Sequence, residues 1–261
     1  MPVADKGLAA STACVVNSAM VEQGPELSIV IPAYNERARI AQTLSRVLEW
    51  AHAGRRRVEV LVVDDGSTDD TAGLVDALAA DHPELRVVQQ PKNRGKGAAV
   101  RRGMLEARAP YVLFSDADLS TPIEEVEKLL IYARRGDDVV IGSRGLADSD
   151  IRTRQPIYRE LMGRTFNRMV RLGLLSGIKD TQCGFKLFTR DAARAIFERQ
   201  RLDGFAFDVE ALVIARDLGY RVREVPVVWY HAPNSKVSPI FDSSRMFRDL
   251  VRLRLERLRG R

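Results

Sequence analysis

The stretch Leu27-Ser28-Ile29-Val30-Ile31-Pro32-Ala33-Tyr34-Asn35-Glu36 decides how the rest of the chain is read. A short apolar, β-branched run, Leu27 to Ile31, has the character of a buried strand, and a polar cluster follows at once. The period then changes. From Glu36 to Trp50, Ile40, Leu44, Val47 and Leu48 recur at helical spacing. The same unit repeats downstream. Val58 to Val63 reads as a second strand ended by Asp64-Asp65-Gly66, and Ser67 with Asp70 forms a capping-box-like start to a helix reaching Leu78. Leu85 to Val88 is a third strand, Lys96 to Ala107 a third helix, and Tyr111 to Phe114 a fourth strand stopping at Ser115-Asp116-Ala117-Asp118. Val139 to Ile141 is a fifth. Alternation of nearly continuous apolar strands with helices predicts an α/β fold, a Rossmann-like, mostly parallel sheet flanked by helices on both faces.

The second half breaks that rhythm. Helices are expected from Pro156 to Leu174, Asp191 to Arg199 and Asp208 to Leu218, a strand over Val222 to Tyr230, and a basic helix from Ser243 onward. No internal repeat or Pro/Gly-rich linker divides the chain. Residues 25–240 are read as a single domain with a nucleotide-binding first half and an acceptor-binding second half. Residues 241–261 are read as a basic amphipathic helix. Residues 1–24, rich in Ala, Ser and Val, are expected to be a disordered tail rather than a signal peptide, because no strong apolar segment precedes Ser11 to Cys14.

Composition narrows the partners. The 261 residues carry 41 Lys+Arg against 35 Asp+Glu, a net charge of +6, which suits an anionic partner without choosing one. No apolar run reaches the 18 or so residues of a membrane-spanning helix. Two cysteines, Cys14 and Cys183, cannot form a disulfide framework, which favours a reducing, cytoplasmic setting. The basic residues form no recognised nucleic-acid module, so nucleic acid is not expected as a partner.

Three polar clusters follow three strand ends: Pro32 to Glu36, Asp64 to Ser67, and Asp116-Ala117-Asp118. In doubly wound sheets ligands bind beyond the carboxyl ends of the strands. Each cluster alone could be a turn; three in succession point to a site. Two neighbouring carboxylates, Asp116 and Asp118, repel unless a cation joins them. Oxygen ligands of this kind suit Mg²⁺ or Mn²⁺ beside a substrate's phosphates. No zinc spacing is present, since the three histidines are scattered along the chain. Asn93-Arg94-Gly95-Lys96-Gly97, just before a helix, offers a cradle for a phosphate or a base edge, although it lacks the P-loop spacing.

Taken in order, Val30 to Glu36, Val62 to Asp69, Asn93 to Gly97 and Asp116-Ala117-Asp118 resemble the motif series of a family 2 glycosyltransferase with the GT-A fold, from about Leu27 to Arg254. Ile141 to Arg144, Asp180-Thr181-Gln182-Cys183-Gly184-Phe185-Lys186 and Phe205 to Glu210 resemble a narrower branch, the dolichyl/polyprenyl-phosphate sugar synthases, and Ser235 to Ser238 bring the chain nearest its glucosyltransferase members. The resemblance implies that Pro32, Tyr34, Glu36 and Asp65 hold the base and ribose of a nucleoside diphosphate sugar, UDP-glucose, with Lys96 nearby. It implies that Asp116 and Asp118 hold the divalent metal, that Arg144 and Arg164 engage a lipid phosphate, and that Gln182, Asp208 and Glu210 line the sugar and acceptor side. Relatives that make mannosyl phosphates often carry Gln two residues after the second aspartate; here Ser120 stands there, which disfavours a mannose donor.

The chemistry agrees with that reading. Loss of a nucleoside diphosphate from a sugar carbon develops negative charge that a dication and Lys/Arg stabilise. A phosphate monoester acceptor, with a second pKa of about 6, is already ionised at neutral pH and needs arginines rather than a base. Arg144, Arg152, Arg154, Arg159 and Arg164 cluster in sequence where such a phosphate could bind. Two alternatives stay open: a hydroxyl acceptor with Asp208 or Glu210 as base, and an inactive nucleotide-sugar-binding module. Met246, Phe247, Leu250, Val251, Leu255 and Leu258, interspersed with Arg248, Arg252, Arg254, Arg257, Arg259 and Arg261, form a stripe suited to an anionic membrane surface or to packing on the sheet. The expectation is therefore a cytoplasmic enzyme, peripheral on the membrane.

Overall fold

The computed structural model describes residues 24–153, 157–231 and 241–259. Strands β1 (Leu27–Ala33) and β2 (Val58–Asp64) are buried along their whole length. They pair in parallel from Leu27 opposite Val58 to Ala33 opposite Asp64. β3 (Leu85–Gln89) adds to one side. On the other side stand β4 (Tyr111–Ser115), β5 (Val139–Ser143), β7 (Phe185–Thr189) and β8 (Val222–Pro226), in the order β3-β2-β1-β4-β7-β5-β8. A separate parallel pair joins β6 (Asp150–Ile151) to β9 (Val228–Trp229).

Successive strand side chains point to opposite faces, so a continuous apolar strand feeds two cores. Ile29, Ile31, Val60 and Val62 pack with α1 (Arg37–Ala53), α2 (Thr71–Ala79) and α4 (Val126–Arg134). Val30, Leu61 and Val63 pack with α3 (Lys96–Glu106), α5 (Ile157–Gly173), α6 (Arg190–Phe197), α7 (Phe207–Asp217) and α8 (Phe241–Leu258). Each fully buried Val, Ile or Leu contributes about 1.5–3 kcal/mol, so this two-faced burial dominates the fold's stability. α3 lies very close to the sheet at Gly103, where a Cβ would sit 2.3 Å from Val30 Cγ1 and 2.8 Å from Val63 Cγ2. That close seat brings the first turn of α3 to the carboxyl ends of β1 and β4.

Four local expectations change. β7 was read only as part of a motif; it is a strand, antiparallel to both β4 and β5. Its apolar run is interrupted by Lys186, which is buried because it pairs with Asp208 at 2.6 Å. The single strand expected over Val222 to Tyr230 divides at Val227 into β8 and β9. α4, preceded by a 3₁₀ turn over Ile123–Glu125, was not anticipated. The capping box at Ser67 and Asp70 does not form: Asp70 stands in the left-handed region with φ 61° and makes no side-chain cap. Ser67 Oγ instead accepts from the Asn35 amide at 2.8 Å, tying the β2 turn to the β1 turn.

A buried ion pair ties the loop after β5 to the segment before β7. Arg144, just after β5, donates Nε to Asp180 Oδ2 at 2.7 Å and Nη2 to Oδ1 at 2.9 Å. Its backbone amide donates to the same carboxylate. Burial alone would raise the Asp180 pKa, but the Arg144 charge and hydrogen bonds override it and hold the carboxyl at about 2. Against the ordinary 3.8 this separation corresponds to about 2 kcal/mol of stability. A carboxyl depressed on folding stabilises fully above its unfolded pKa and loses that contribution as pH falls through the folded value. The unfolding free energy of wild type should therefore fall by about 2 kcal/mol between about pH 4 and pH 2, a fall absent from Asp180→Asn, which is less stable than wild type above pH 5 by more than that amount because Arg144 is left buried without its partner. Urea unfolding across that pH range checks it.

Candidate active site

The carboxyl ends of β1, β2 and β4 open into a cleft of about 660 Å³. Pro32, Tyr34, Glu36, Asp65, Lys96, Asp116 and Asp118, the residues expected around the nucleotide sugar, all line it. The backbone around the cleft takes unusual turns. Asn35 and Leu119, neither of them glycine, have φ of 54° and 45°. Left-handed non-glycine residues are costly and collect where surrounding structure enforces a particular shape.

Asp65 organises one wall. Its Oδ1 accepts from Gln90 Nε2 at 2.9 Å and from the Arg94 amide at 2.8 Å, and its Oδ2 accepts from the Gly95 amide at 2.7 Å. Burial raises its pKa, opposed mainly by those two amides. The amides of Gly97 and Ala98 donate to Asp203 O. The Asn93–Gly97 loop was expected to form a cradle for a phosphate or a base edge; its Arg94, Gly95 and Gly97 amides are committed within the protein, while Asn93, Arg94, Gly95 and Lys96 line the cleft.

Asp116 and Asp118 follow β4 directly. Asp116 lies against Gly184, where a Cβ would come within 2.0 Å of Asp116 Oδ2, so only glycine leaves this carboxylate its place. Lys96 Nζ reaches Asp116 Oδ1 at 2.6 Å and stands 5.4 Å from the Phe114 ring centroid. Burial works against the Lys96 ammonium, but Asp116, Asp208 and Asp118 raise its pKa. The Asp118 pKa is raised by burial and by the Asp116 charge, while the Ser120 amide, 2.9 Å from Oδ1, pulls the other way. Two carboxylates crowded into one partly closed site, with all-oxygen donors, form a set that suits a hard dication.

The residues expected on the acceptor side are not part of this lining. Asp208, Glu210, Gln182 and Arg144 do not line this cleft. Asp208 is buried against Lys186, which also donates to Cys183 O at 2.6 Å. Burial raises the Asp208 pKa and Lys186 and Lys96 oppose it. Glu210 accepts from the Arg201 amide at 3.0 Å and the Leu202 amide at 2.7 Å, closing the loop before α7. Gln182 donates its amide to Asp180 at 3.1 Å. Arg144 stacks 5.5 Å from the Trp229 ring centroid as well as pairing with Asp180. Arg164 falls on α5, but its side chain lies outside the described residues, as do Arg154, the Arg159 side chain, Ser235 to Ser238 and residues 1–23.

Sequence reasoning missed part of the cleft. Asp203, Gly204 and Phe205 line it from the loop before α7, and Arg245, Met246, Arg248 and Asp249 line it from α8. Arg39, paired with Glu36 at 2.7 Å, completes the rim. The basic stripe of α8 divides accordingly. Met246 and Leu250 join the core, whereas Phe247, Val251 and Leu255 are exposed. Arg254 donates to Gly173 O, and Arg257 bonds Leu174 O and Asp217, so these two arginines fasten α8 to the domain. Among the described residues no helix is long and apolar enough to cross a membrane.

Known proteins match this arrangement. The profile described as "Glycosyl transferase family 2" covers residues 28–197. A dolichyl-phosphate beta-glucosyltransferase of Dictyostelium discoideum is 38% identical over 246 residues, 90% of this chain and 75% of the relative. One from Trichomonas vaginalis is 40% identical, covering 87% and 70%, and the Homo sapiens protein of that name is 35% identical, covering 90% and 76%. Among solved structures, glucosyl-3-phosphoglycerate synthase from Mycobacterium tuberculosis, crystallised with Mn²⁺, UDP-glucose and glycerol 3-phosphate, shares the fold with a TM-score of 0.66. It is 23% identical and covers 88% of this chain and 80% of its own. These likenesses, together with the cleft at the strand ends, place the chain in glycosyltransferase family 2, as a glycosyltransferase with the GT-A fold.

Proposed function

We propose that the chain transfers glucose from UDP-glucose to a dolichyl or other polyprenyl phosphate, inverting the anomeric carbon to give a β-linked lipid-phosphate sugar. One observation carries the acceptor half of this reading: neither carboxylate considered as a general base is free to serve. Glu210 is spent on the Arg201 and Leu202 amides, and Asp208 on Lys186. A hydroxyl acceptor needs a base, whereas a phosphate monoester arrives ionised. The names of the relatives, which run over most of the chain, agree with the same acceptor.

In this reading Pro32, Tyr34, Glu36 and Asp65 receive the base and ribose, and Asp116 with Asp118 holds Mg²⁺ or Mn²⁺ against the diphosphate. Bound there, the dication neutralises charge developing on the leaving nucleotide. An acceptor phosphate oxygen forms the new bond to the sugar C1 as the bond from C1 to the β-phosphate oxygen breaks, and the departing UDP keeps the electron pair. No proton changes hands. With an ion held by Asp116 and Asp118, Lys96 would be free to add its charge on the diphosphate side. Arg144 and Arg164 bind the acceptor phosphate, Arg144 through the edge of its guanidinium not bonded to Asp180, and Gln182 lies on the sugar side.

The acceptor lives in a bilayer, and α8 offers a way to reach it. Phe247, Val251 and Leu255, exposed and spaced one helical turn apart, sit on the same helix that lends Arg245 and Arg248 to the cleft. Laying that stripe on the membrane keeps the cleft beside the lipid headgroups, a peripheral placement on the cytoplasmic face.

Incubation with UDP-glucose, Mg²⁺ and a polyprenyl phosphate should give an acid-labile lipid-linked glucose, detected by mass spectrometry of the lipid fraction. Asp118→Asn should lose at least about a hundredfold in rate while keeping its fold. No lipid product from any nucleotide sugar, or transfer to a saccharide hydroxyl that ignores lipid phosphate, contradicts the proposal. Changing Phe247, Val251 and Leu255 together to Ser should weaken binding to anionic vesicles by at least about tenfold and raise KM for the lipid acceptor. The KM for UDP-glucose should stay the same.

A further inference from the structure

Two of the three histidines, scattered in sequence and read there as offering no zinc pattern, come together in space: His52 and His82 meet at Glu84, whereas His231 lies beside Trp229. His52 ends α1, and His82 and Glu84 belong to the turn between α2 and β3. His52 Nε2 lies 2.8 Å from Glu84 Oε1, and His82 Nδ1 lies 3.6 Å from the same oxygen. The two rings stack with centroids 5.9 Å apart. One ligand atom from each of the three residues falls within 4.8 Å of the others. We infer that His52, His82 and Glu84 form a second metal site, separate from the donor cleft, that takes Zn²⁺.

Ligand chemistry decides the metal. Two imidazoles with one carboxylate are borderline donors that suit Zn²⁺, whereas Mg²⁺ and Ca²⁺ prefer oxygen throughout. Three protein ligands leave a fourth position for water. The backbone that carries the ligands is pinned. Glu84 O accepts from the Val60 amide at 2.8 Å, His82 O accepts from the Leu85 amide at 2.9 Å, and Pro83 fixes the chain between the two ligands. His52 is more than half exposed, which gives the ion a way in.

The site sits at the start of β3, whereas the cleft lies at the carboxyl ends of the strands. Leu85 pairs beside Val60 and Gln89 beside Asp64, so four residue steps along β2 and β3 lie between them, roughly 13 Å at 3.3 Å per residue. Zinc bound here therefore steadies the packing of α1 on the edge of the sheet and takes no part in transfer.

The test uses the full chain without an affinity tag, carrying Asp116→Ala and Asp118→Ala to remove the donor-cleft ligands. Titration with Zn²⁺ against a chromogenic chelator should show one ion bound per chain. Adding His52→Ala, or separately Glu84→Gln, should weaken that binding by at least about tenfold. Zn²⁺ should raise the melting midpoint only while all three ligands are present. The inference is overturned if the cleft variant binds no Zn²⁺, or if its Zn²⁺ affinity is unchanged by His52→Ala and by Glu84→Gln. Because the cleft ligands are already gone, neither result depends on the proposed transferase reaction.

Discussion

Asp116, set at the end of a buried strand, finds its partner in the cation Lys96, and several features of the molecule allow that pairing. Gly184 leaves it room, α3 is drawn onto the sheet closely enough at Gly103 to deliver Lys96, and the two groups meet at 2.6 Å. Asp118 adds a second negative charge whose pKa is raised by burial and by Asp116. Lys96 and the two aspartates are thus ordered together, so a dication bound there would meet side chains already in place rather than a loose pair.

The acceptor half follows a different logic. Its charged groups are matched inside the protein: Lys186 with Asp208, Arg144 with Asp180, Glu210 with two backbone amides. Removing one partner of such a buried pair is far costlier than the net worth of the pair. These residues therefore give the acceptor side its shape before they give it chemistry. A reaction whose nucleophile arrives already charged asks for nothing more.

The parts of the fold legible in the sequence were those governed by nearly continuous apolar runs. β1, β2, β4 and the helices after them declare themselves through Ile29 to Ile31, Val60 to Val63 and their neighbours, because each strand is buried on both faces. β7 was hidden because Lys186 breaks its run, and a lysine is tolerable there through Cys183 O and the Asp208 carboxylate, which lies 22 positions along the chain. α4 was overlooked although Val126, Leu129, Leu130 and Ala133 carry the helical period plainly. The donor residues were readable as local motifs at strand ends. Arg245, Arg248 and Asp249 were not, since nothing local says which face of α8 turns to the cleft. The same limit concealed the convergence of His52 and His82 on Glu84, which depends on how α1 ends against the turn before β3.

The central claim is that Asp116 and Asp118 share a divalent ion with the donor diphosphate. Electron–nuclear double resonance on the Mn²⁺ complex with UDP tests it most directly. Wild type should show ³¹P coupling between the bound Mn²⁺ and UDP, and Asp118→Ala should lose that coupling together with Mn²⁺ affinity. Mn²⁺ bound beside UDP with no phosphorus coupling, or a coupling and affinity unchanged in Asp118→Ala, would contradict it.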